Sequence, residues 1–300
     1  MDEERNGNDR IKDSIKALLF ILLFTFLNTF IPVLGVFVFF LWPLPVIYIF
    51  VKYGMEDTVK LIVIAALING ILLSPFMGLV TIIGVGFIGF IIGGFLKEDF
   101  PPFYTLLGSI GVGLVSQIII LIITRYILGL DLNFLINELY TLLQESPEIA
   151  QYEEIIKTQI EMIRKIYPSL VIISSIFTGS IHYYLSVWYL NKKGFDFKTY
   201  LSLKYWHFPR IVSLGIVITL MFSNNIFFNN LNILLLFLSM IQGFAVGLYY
   251  LESKDLGKFI KIFYVISVFI IPLLPLLLAL LGLIDMWFNL RRLKKSDLDN

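Results

Sequence analysis

Cysteine is absent from the 300 residues, which excludes disulfides, thiol nucleophiles and thiolate metal sites. Two histidines are too few for a histidine-based metal centre, and no cofactor is expected. Charge is scarce as well: only 15% of residues are Asp, Glu, Lys or Arg, against about 25% in a soluble domain. That leaves too little polar surface to cover a globule in water. The formal net charge of +1 carries no basic excess, so no nucleic-acid partner is expected. Catalytic signatures are missing too: there is no GxSxG elbow and no HExxH pair. No carboxylate sits deep in an apolar run, and Asp285 comes nearest. A Ser–His pairing of Ser175 or Ser186 with His182 is the one catalytic reading left, and the chain is not expected to be an enzyme.

What the sequence does contain is hydrocarbon. Hydrophobic residues make up 58%, with 28 Phe and 15 Tyr, and mean hydropathy is +0.87. A spanning helix needs about 20 mostly apolar residues, because the hydrocarbon is about 30 Å thick. Spans are expected near 15–31, 33–52, 58–74, 77–96, 104–128, 168–190, 210–225 and 231–251. Long unbroken runs exclude a barrel, whose strands alternate. The apolar run after the charged residues 1–16 has no small-residue cleavage site, so the first helix is expected to stay as an anchor. The last stretch, 260–290, would be about 46 Å long as one straight helix. Ile271-Pro272-Leu273-Leu274-Pro275 interrupts it, which gives either a hairpin of two short helices or one kinked helix.

Charge placement orients the chain. Lys192, Lys193, Lys198, Lys204 and Arg210 crowd 191–210 against one acid, Asp196. Lys254, Lys258 and Lys261 follow the eighth span, and Arg291, Arg292, Lys294 and Lys295 come at the end. Basic loops stay in the cytoplasm. The expectation is therefore an all-α polytopic bundle in the cell membrane, of about ten spans (alternative nine), with both termini cytoplasmic. Residues 1–300 read as one integral membrane domain, with 191–210 a cytoplasmic basic loop. Trp188, Trp206 and Trp287 fall at one interface, where indoles anchor. Residues 131–167 carry seven acids and three bases and suit the outer face. Leu132, Leu135, Leu139, Leu142 and Leu143, then Tyr152, Ile155, Ile160 and Ile163, recur at helical spacing. They form either an amphipathic surface pair divided at Glu145-Ser146-Pro147 or a lid.

One tempting motif is misleading. Gly84-Val85-Gly86-Phe87-Ile88-Gly89 matches a dinucleotide fingerprint but lies inside an apolar run, where Gly89 and Gly93 instead suit close helix packing. Polar stripes inside the spans carry more. Ser175, Thr178, His182 and Ser186 share a face of the sixth span. Ser109, Ser116, Gln117 and Thr124 do so in the fifth, with Arg125 at its outer end. Asn69, Thr25, Ser239 and Gln242 mark other spans. Such groups serve as interhelical hydrogen-bond glue, at about 0.6 kcal/mol each, or line a cavity for a small polar ligand. Candidate ligand residues are Ser116, Gln117, Arg125, Ser175, Thr178, His182 and Ser186. Ionisable groups at membrane depth point to function. Candidate interface anchors are Trp188, Trp206, Pro209, Arg210, Asp285, Trp287 and Arg291, with Asp285 pairing to Arg291 or Arg292.

Four features carry a resemblance over the whole chain: Pro43-Leu44-Pro45 followed by Tyr53-Gly54, Tyr205-Trp206-His207-Phe208-Pro209-Arg210, the ending Gly282-Leu283-Ile284-Asp285-Met286-Trp287-Phe288-Asn289-Leu290-Arg291, and an outer insert after the fifth span. The chain resembles the YybS family of multi-spanning bacterial membrane proteins, a domain of unknown function. His207 and Phe208 stand where that pattern has a basic residue and Leu. The resemblance implies a remote likeness to substrate-binding subunits of energy-coupling-factor transporters, helical proteins of about six spans. The functional expectation is a small-solute transporter or such a subunit. The alternative is a scaffold recruiting a cytoplasmic or membrane protein, and the third is a lipid-handling enzyme. Partners expected are the lipid bilayer, a small-molecule ligand and that protein partner.

Overall fold

Backbone groups buried in hydrocarbon must be satisfied within their own segment, which long apolar runs achieve as helices. The computed structural model describes residues 2–145 and 153–293, and all regular structure among them is helical. The order is α1 (Asp2–Phe30), α2 (Pro32–Phe39), α3 (Leu44–Tyr53), α4 (Met55–Leu72), α5 (Pro75–Val80), a π-helical turn (Thr81–Phe87), α6 (Ile88–Lys97) and α7 (Pro102–Leu128). There follow α8 (Leu132–Glu145), α9 (Glu153–Lys192), a 3-10 turn (Leu203–Tyr205), α10 (Ile211–Met221), α11 (Ile226–Ser253), α12 (Lys258–Ile270) and α13 (Leu274–Phe288).

Proline and small polar residues punctuate the series. Pro32, Pro75 and Pro102 occupy first helical turns, where the missing N–H costs nothing. The Ser74 hydroxyl accepts from Met77 N at 3.2 Å and caps α5. Gly129, at φ 65°, closes α7 in the left-handed conformation glycine tolerates.

Among the described residues, six helices are long and apolar enough to cross a membrane, or seven if the bent pair α12–α13 counts as one span. α12 and α13 meet at 111° across the predicted Pro-rich break. The seventh expected span is only the 11-residue α10. Ile71, Phe259 and Phe269 are 83%, 80% and 74% exposed. An outer surface this apolar needs a hydrocarbon solvent.

The insert differs from expectation in one respect. Its second helix is continuous with the sixth span, because α9 runs 40 residues with Pro168 inside it. Proline strips a helix of a hydrogen bond, here the one to Arg164 O, and Asn230 bridges the neighbouring step of the ladder. Asn230 Nδ2 donates to Lys165 O at 2.8 Å, and its Oδ1 accepts from Ser169 N at 2.9 Å. Of the expected division at Glu145-Ser146-Pro147, residues 146 and 147 lie outside the described residues, as do Tyr152, Lys294 and Lys295. So do the side chains of Leu132, Leu135, Leu139, Leu142 and Leu143.

The chain divides into two compact units, residues 1–148 with 174–199 and residues 149–173 with 200–300. In the first, Ala17 and Ile21 of α1, Trp42, Val46 and Ile49 around α3, Leu61 and Ala65 of α4, and Val85 form one buried cluster. Gly89 and Gly93 do act as packing residues, although their partner is α3. A Cβ on either would come within 2.6 Å of Val46 or 2.7 Å of Phe50. In the second unit α11 crosses α13 at two glycines. A Cβ on Gly243 would sit 1.8 Å from Leu278 O, and one on Gly282 1.9 Å from Ser239 O.

Candidate functional site

In the first unit the expected polar stripes meet along α7 and α9. Gly179 allows the approach, since a Cβ there would come 2.6 Å from Ile110 Cα. Gln117 Oε1 accepts from Ser174 and Ser175 at 2.8 and 3.1 Å. Ser116, buried, donates to Ile83 O at 2.8 Å. That carbonyl lies in the π-helical turn, whose wider i→i+5 bonding is frequent at functional sites. Thr178 is half-buried beside Gly113. Ser186 is fully buried and donates to His182 O at 2.5 Å. Arg125 does not join them: it is exposed at the end of α7, 3.7 Å from Asp131. Asn69 donates to Thr25 and Thr81 at 3.0 and 2.9 Å, tying α1 and α4 to the π turn.

Most of these hydroxyls are satisfied and dry, as glue should be. Ser180 Oγ and His182 are exceptions, and His182 is the ionisable one. It is 2% exposed, and neither ring nitrogen has a hydrogen-bond partner. The Phe39 backbone acts on the ring without reaching hydrogen-bond geometry. The Phe39 and Phe40 rings pack on the imidazole, with centroids 5.8 and 6.4 Å away. Those two residues begin the break between α2 and α3. Pro43 and Pro45 supply no N–H, so the Phe39 and Leu41 carbonyls lose their helical donors. They take shorter-range bonds instead, from Trp42 N at 3.4 Å and Leu44 N at 3.1 Å. Trp42, inside the break, is buried with its Nε1–H also unpartnered. An unpaired buried polar group costs about 1–3 kcal/mol. Membrane transporters build their solute sites at interrupted spans. Sequence reasoning found His182 and the Pro43-Leu44-Pro45 break separately, and missed that they adjoin.

The second unit holds a different cluster, built by the glycine crossing of α11 and α13. One residue before Gly243 and one turn past Gly282, Gln242 Nε2 donates to Asp285 Oδ2 at 2.8 Å. Asn289 takes φ 45° to end α13, which returns the chain over Asp285. Arg291 Nε and Nη2 then reach Oδ2 at 3.2 and 2.8 Å. Its other donors hold Lys204 O at 2.6 Å and Trp206 O at 2.8 Å. Asp285 and Arg291 are 0% and 2% exposed, and Asp285 Oδ1 has no partner. Gln242 Oε1 accepts from Phe208 N at 2.7 Å, and its Nε2 lies 3.2 Å from His207 Nδ1. That contact needs Nδ1 unprotonated. Burial pushes His207 below its ordinary range; Asp285 opposes this, and Arg291 and Arg210 reinforce it.

The anchors divide accordingly. Arg210 stacks 5.4 Å from the Trp287 ring and donates to Trp287 O at 3.2 Å, while Trp287 Nε1 donates to Ser213 at 2.8 Å. Trp206 Nε1 donates to Leu201 O at 3.1 Å. Pro209 begins a turn just ahead of α10, since Val212 N donates to its carbonyl at 3.0 Å. Trp188, half-exposed, carries Lys192 over its ring at 4.1 Å. Asp285 pairs with Arg291, not Arg292.

The buried Asp285–Arg291 pair thus joins the two residue strings that carried the family resemblance, 205–210 and 282–291. Residues 17–286 match the family described as "Predicted membrane protein (DUF2232)". The chain is 22% identical over 290 residues to "Uncharacterized protein YybS" of Bacillus subtilis (strain 168), covering 89% of this chain and 92% of that protein. No solved structure matches. With a match that spans most of its length, and with helices apolar enough to cross a bilayer repeatedly, this chain belongs to the YybS-like DUF2232 family of multi-pass membrane proteins.

Proposed function

We propose that the chain binds or passes a small polar solute, as a transporter or the substrate-binding subunit of one. The observation that carries this reading is His182, a buried imidazole with both nitrogens unpaired beside an interrupted span. A neutral imidazole offers one donor and one acceptor, which suits an uncharged or zwitterionic solute. Thr178, Ser175 and Gln117 extend the polar face from His182, Ser186 holds the His182 carbonyl, Ser116 holds Ile83 O in the π-helical turn, and Arg125 stands at the outer end of α7. The test is a thermal-shift screen of purified protein against vitamins, nucleosides and amino acids, repeated on His182→Phe. A solute that raises the melting temperature of the wild type and not of the variant supports the reading. A folded wild type that responds to none of the three classes, or a response that survives in His182→Phe, sinks it.

The reading takes ten spans, with both ends cytoplasmic. The ten apolar segments are α1, α2–α3, α4, α5–α6, α7, α9, α10, α11, α12 and α13, and the 111° bend at α12–α13 favours the hairpin. A reporter fused after Asn300 that reads as external would favour nine.

A scaffold role is the second reading, favoured by Arg291, which holds Lys204 O and Trp206 O and so fixes the segment 204–206. Replacing Lys192, Lys193 and Lys198 with Ser should then abolish capture of a cytoplasmic partner.

A further inference from the structure

A groove of about 270 Å³ runs between α1 and α4, within the first unit. The two helices run parallel, since Arg10 meets Asp57 at one end and Thr25 meets Asn69 further along. Polarity is graded along them. Arg10, Asp57 and Lys60 stand at the mouth, and Ile15, Leu18, Leu61 and Ile64 line the continuation. Arg10 is paired to Asp57, and Lys60 to Glu56 at 2.5 Å. Neither cation is used up by one carboxylate, because a guanidinium has five N–H donors and an ammonium three. Their side chains are 46% and 61% exposed, so the spare donors are accessible.

We propose that this groove holds one anionic glycerophospholipid, its phosphate between Arg10 and Lys60 and one acyl chain along Ile15, Leu18, Leu61 and Ile64. Counting Glu56, which pairs with Lys60 beside the lining, the four charged groups balance, so a phosphodiester is held by the spare N–H donors of Arg10 and Lys60 and not by a net positive charge. Ser14, also in the lining, follows Arg10 by one helical turn and precedes Ile15 and Leu18, and its hydroxyl can serve a glycerol ester. The volume falls just below that of pockets that enclose a whole ligand, about 300–1,000 Å³. A molecule half in the groove and half in the bilayer fits that size. The reading is independent of His182 and of any transported solute.

The test is native mass spectrometry of the delipidated protein, titrated with phosphatidylglycerol, phosphatidylcholine or glycerol phosphate. Phosphatidylglycerol should bind as one tight copy, at least tenfold above phosphatidylcholine. A basic residue near the membrane surface contributes about 1 kcal/mol toward an anionic lipid, roughly fivefold in affinity. Arg10→Gln and Lys60→Gln should each lose about that much, and the double variant more than tenfold. Leu18→Trp, which fills the chain slot and spares the charges, should also displace the lipid. Equal retention by wild type and double variant overturns the proposal, as does equal binding of the two lipids. Competition by glycerol phosphate at the lipid's own affinity overturns it too, because the ligand would then be a free phosphate. Each variant is compared at matched unfolding temperature, and Lys60 is exposed enough for its loss to leave the fold intact.

Discussion

His182 and Asp285 are both buried ionisable side chains, each in a different unit, and they are treated in opposite ways. Asp285 is surrounded by donors: Arg291 twice, Gln242 once, with His207 4.0 Å away. His182 has aromatic rings for neighbours and no partner for either nitrogen. Burying a carboxylate is tolerable only with a paired cation and hydrogen bonds, and the second unit provides both. A neutral imidazole can be buried with far less help, at a cost of about 1–3 kcal/mol per unsatisfied group. The second unit ties Asp285 into its structure through Oδ2, with Oδ1 alone left over, whereas both nitrogens of His182 are left available. Substitutions that make each site apolar should therefore act in opposite directions.

The largest effect is expected from Arg291→Leu. Removing one partner of a buried pair costs about 3–5 kcal/mol, because the other charge is left stranded. Here the carbonyls of Lys204 and Trp206 lose their donor as well. Thermal unfolding in detergent should show a large drop in midpoint. Adding Asp285→Leu should recover part of it, since no lone charge then remains. A midpoint unchanged in Arg291→Leu would mean that the pair holds nothing together.

Next comes Gly243→Ala. The added methyl would point at Leu278 O at 1.8 Å, and a backbone carbonyl cannot swing aside as a side chain does. Overpacking costs about 1–3 kcal/mol, so the midpoint should fall, less than for Arg291→Leu. The same change at Gly111, with nothing within 4 Å, should be neutral and serves as the control.

His182→Phe tests the other half of the comparison. Phenylalanine keeps an aromatic ring against Phe39 and Phe40 and removes two unpaired nitrogens. Stability should rise, by about 1 kcal/mol, whereas Arg291→Leu lowers it. Gains in stability at the expense of function are typical of sites kept polar for a ligand. A fall of several kcal/mol would show that the imidazole has a structural partner, and the two units would then be alike.

These contrasts were only partly legible in the sequence. Hydropathy and proline placement located the helices, because hydrocarbon length and a missing N–H act locally. They could not foresee that α9 would run unbroken through Pro168, since the bridge across the adjoining Lys165–Ser169 step comes from Asn230, 62 positions beyond the proline. The spacing of Ser175, Thr178, His182 and Ser186 put them on one face. Spacing says nothing of what that face meets, and the opposing feature is a span break some 140 positions earlier. Asp285 and Arg291 were readable as a pair because six residues and an intervening Asn289 return the chain. Gln242 was noted only as a polar mark. Its partner is fixed by the Gly243–Gly282 crossing, and tertiary approach of that kind leaves no local trace.

The smallest expected effect concerns His207, on the half-open edge of the Asp285 cluster. Its Nδ1 lies 3.2 Å from Gln242 Nε2, a contact that protonation turns into two opposed donors. Burial lowers its proton affinity in the folded state, against the pull of Asp285 and with help from Arg291 and Arg210. A histidine whose folded pKa lies below its unfolded one binds more protons when unfolded, so stability rises with pH across that interval. The stabilisation is present above the ordinary histidine range, near pH 6.5, and is lost as pH falls below it. Because 29% of the side chain is exposed, solvent screens the effect, and it should stay under about 1 kcal/mol. Unfolding midpoints of wild type and His207→Gln, measured from pH 8 to pH 5, isolate it from the carboxylates common to both. The difference between the two curves should open only below about pH 6.5, with the wild type losing more. His182→Phe run beside them adds the contrast: it removes a histidine that has no polar partner to lose. A wild type that gains stability relative to His207→Gln on acidification would mean that Asp285, and not burial, governs His207, so that the cluster still has an unmet demand for positive charge.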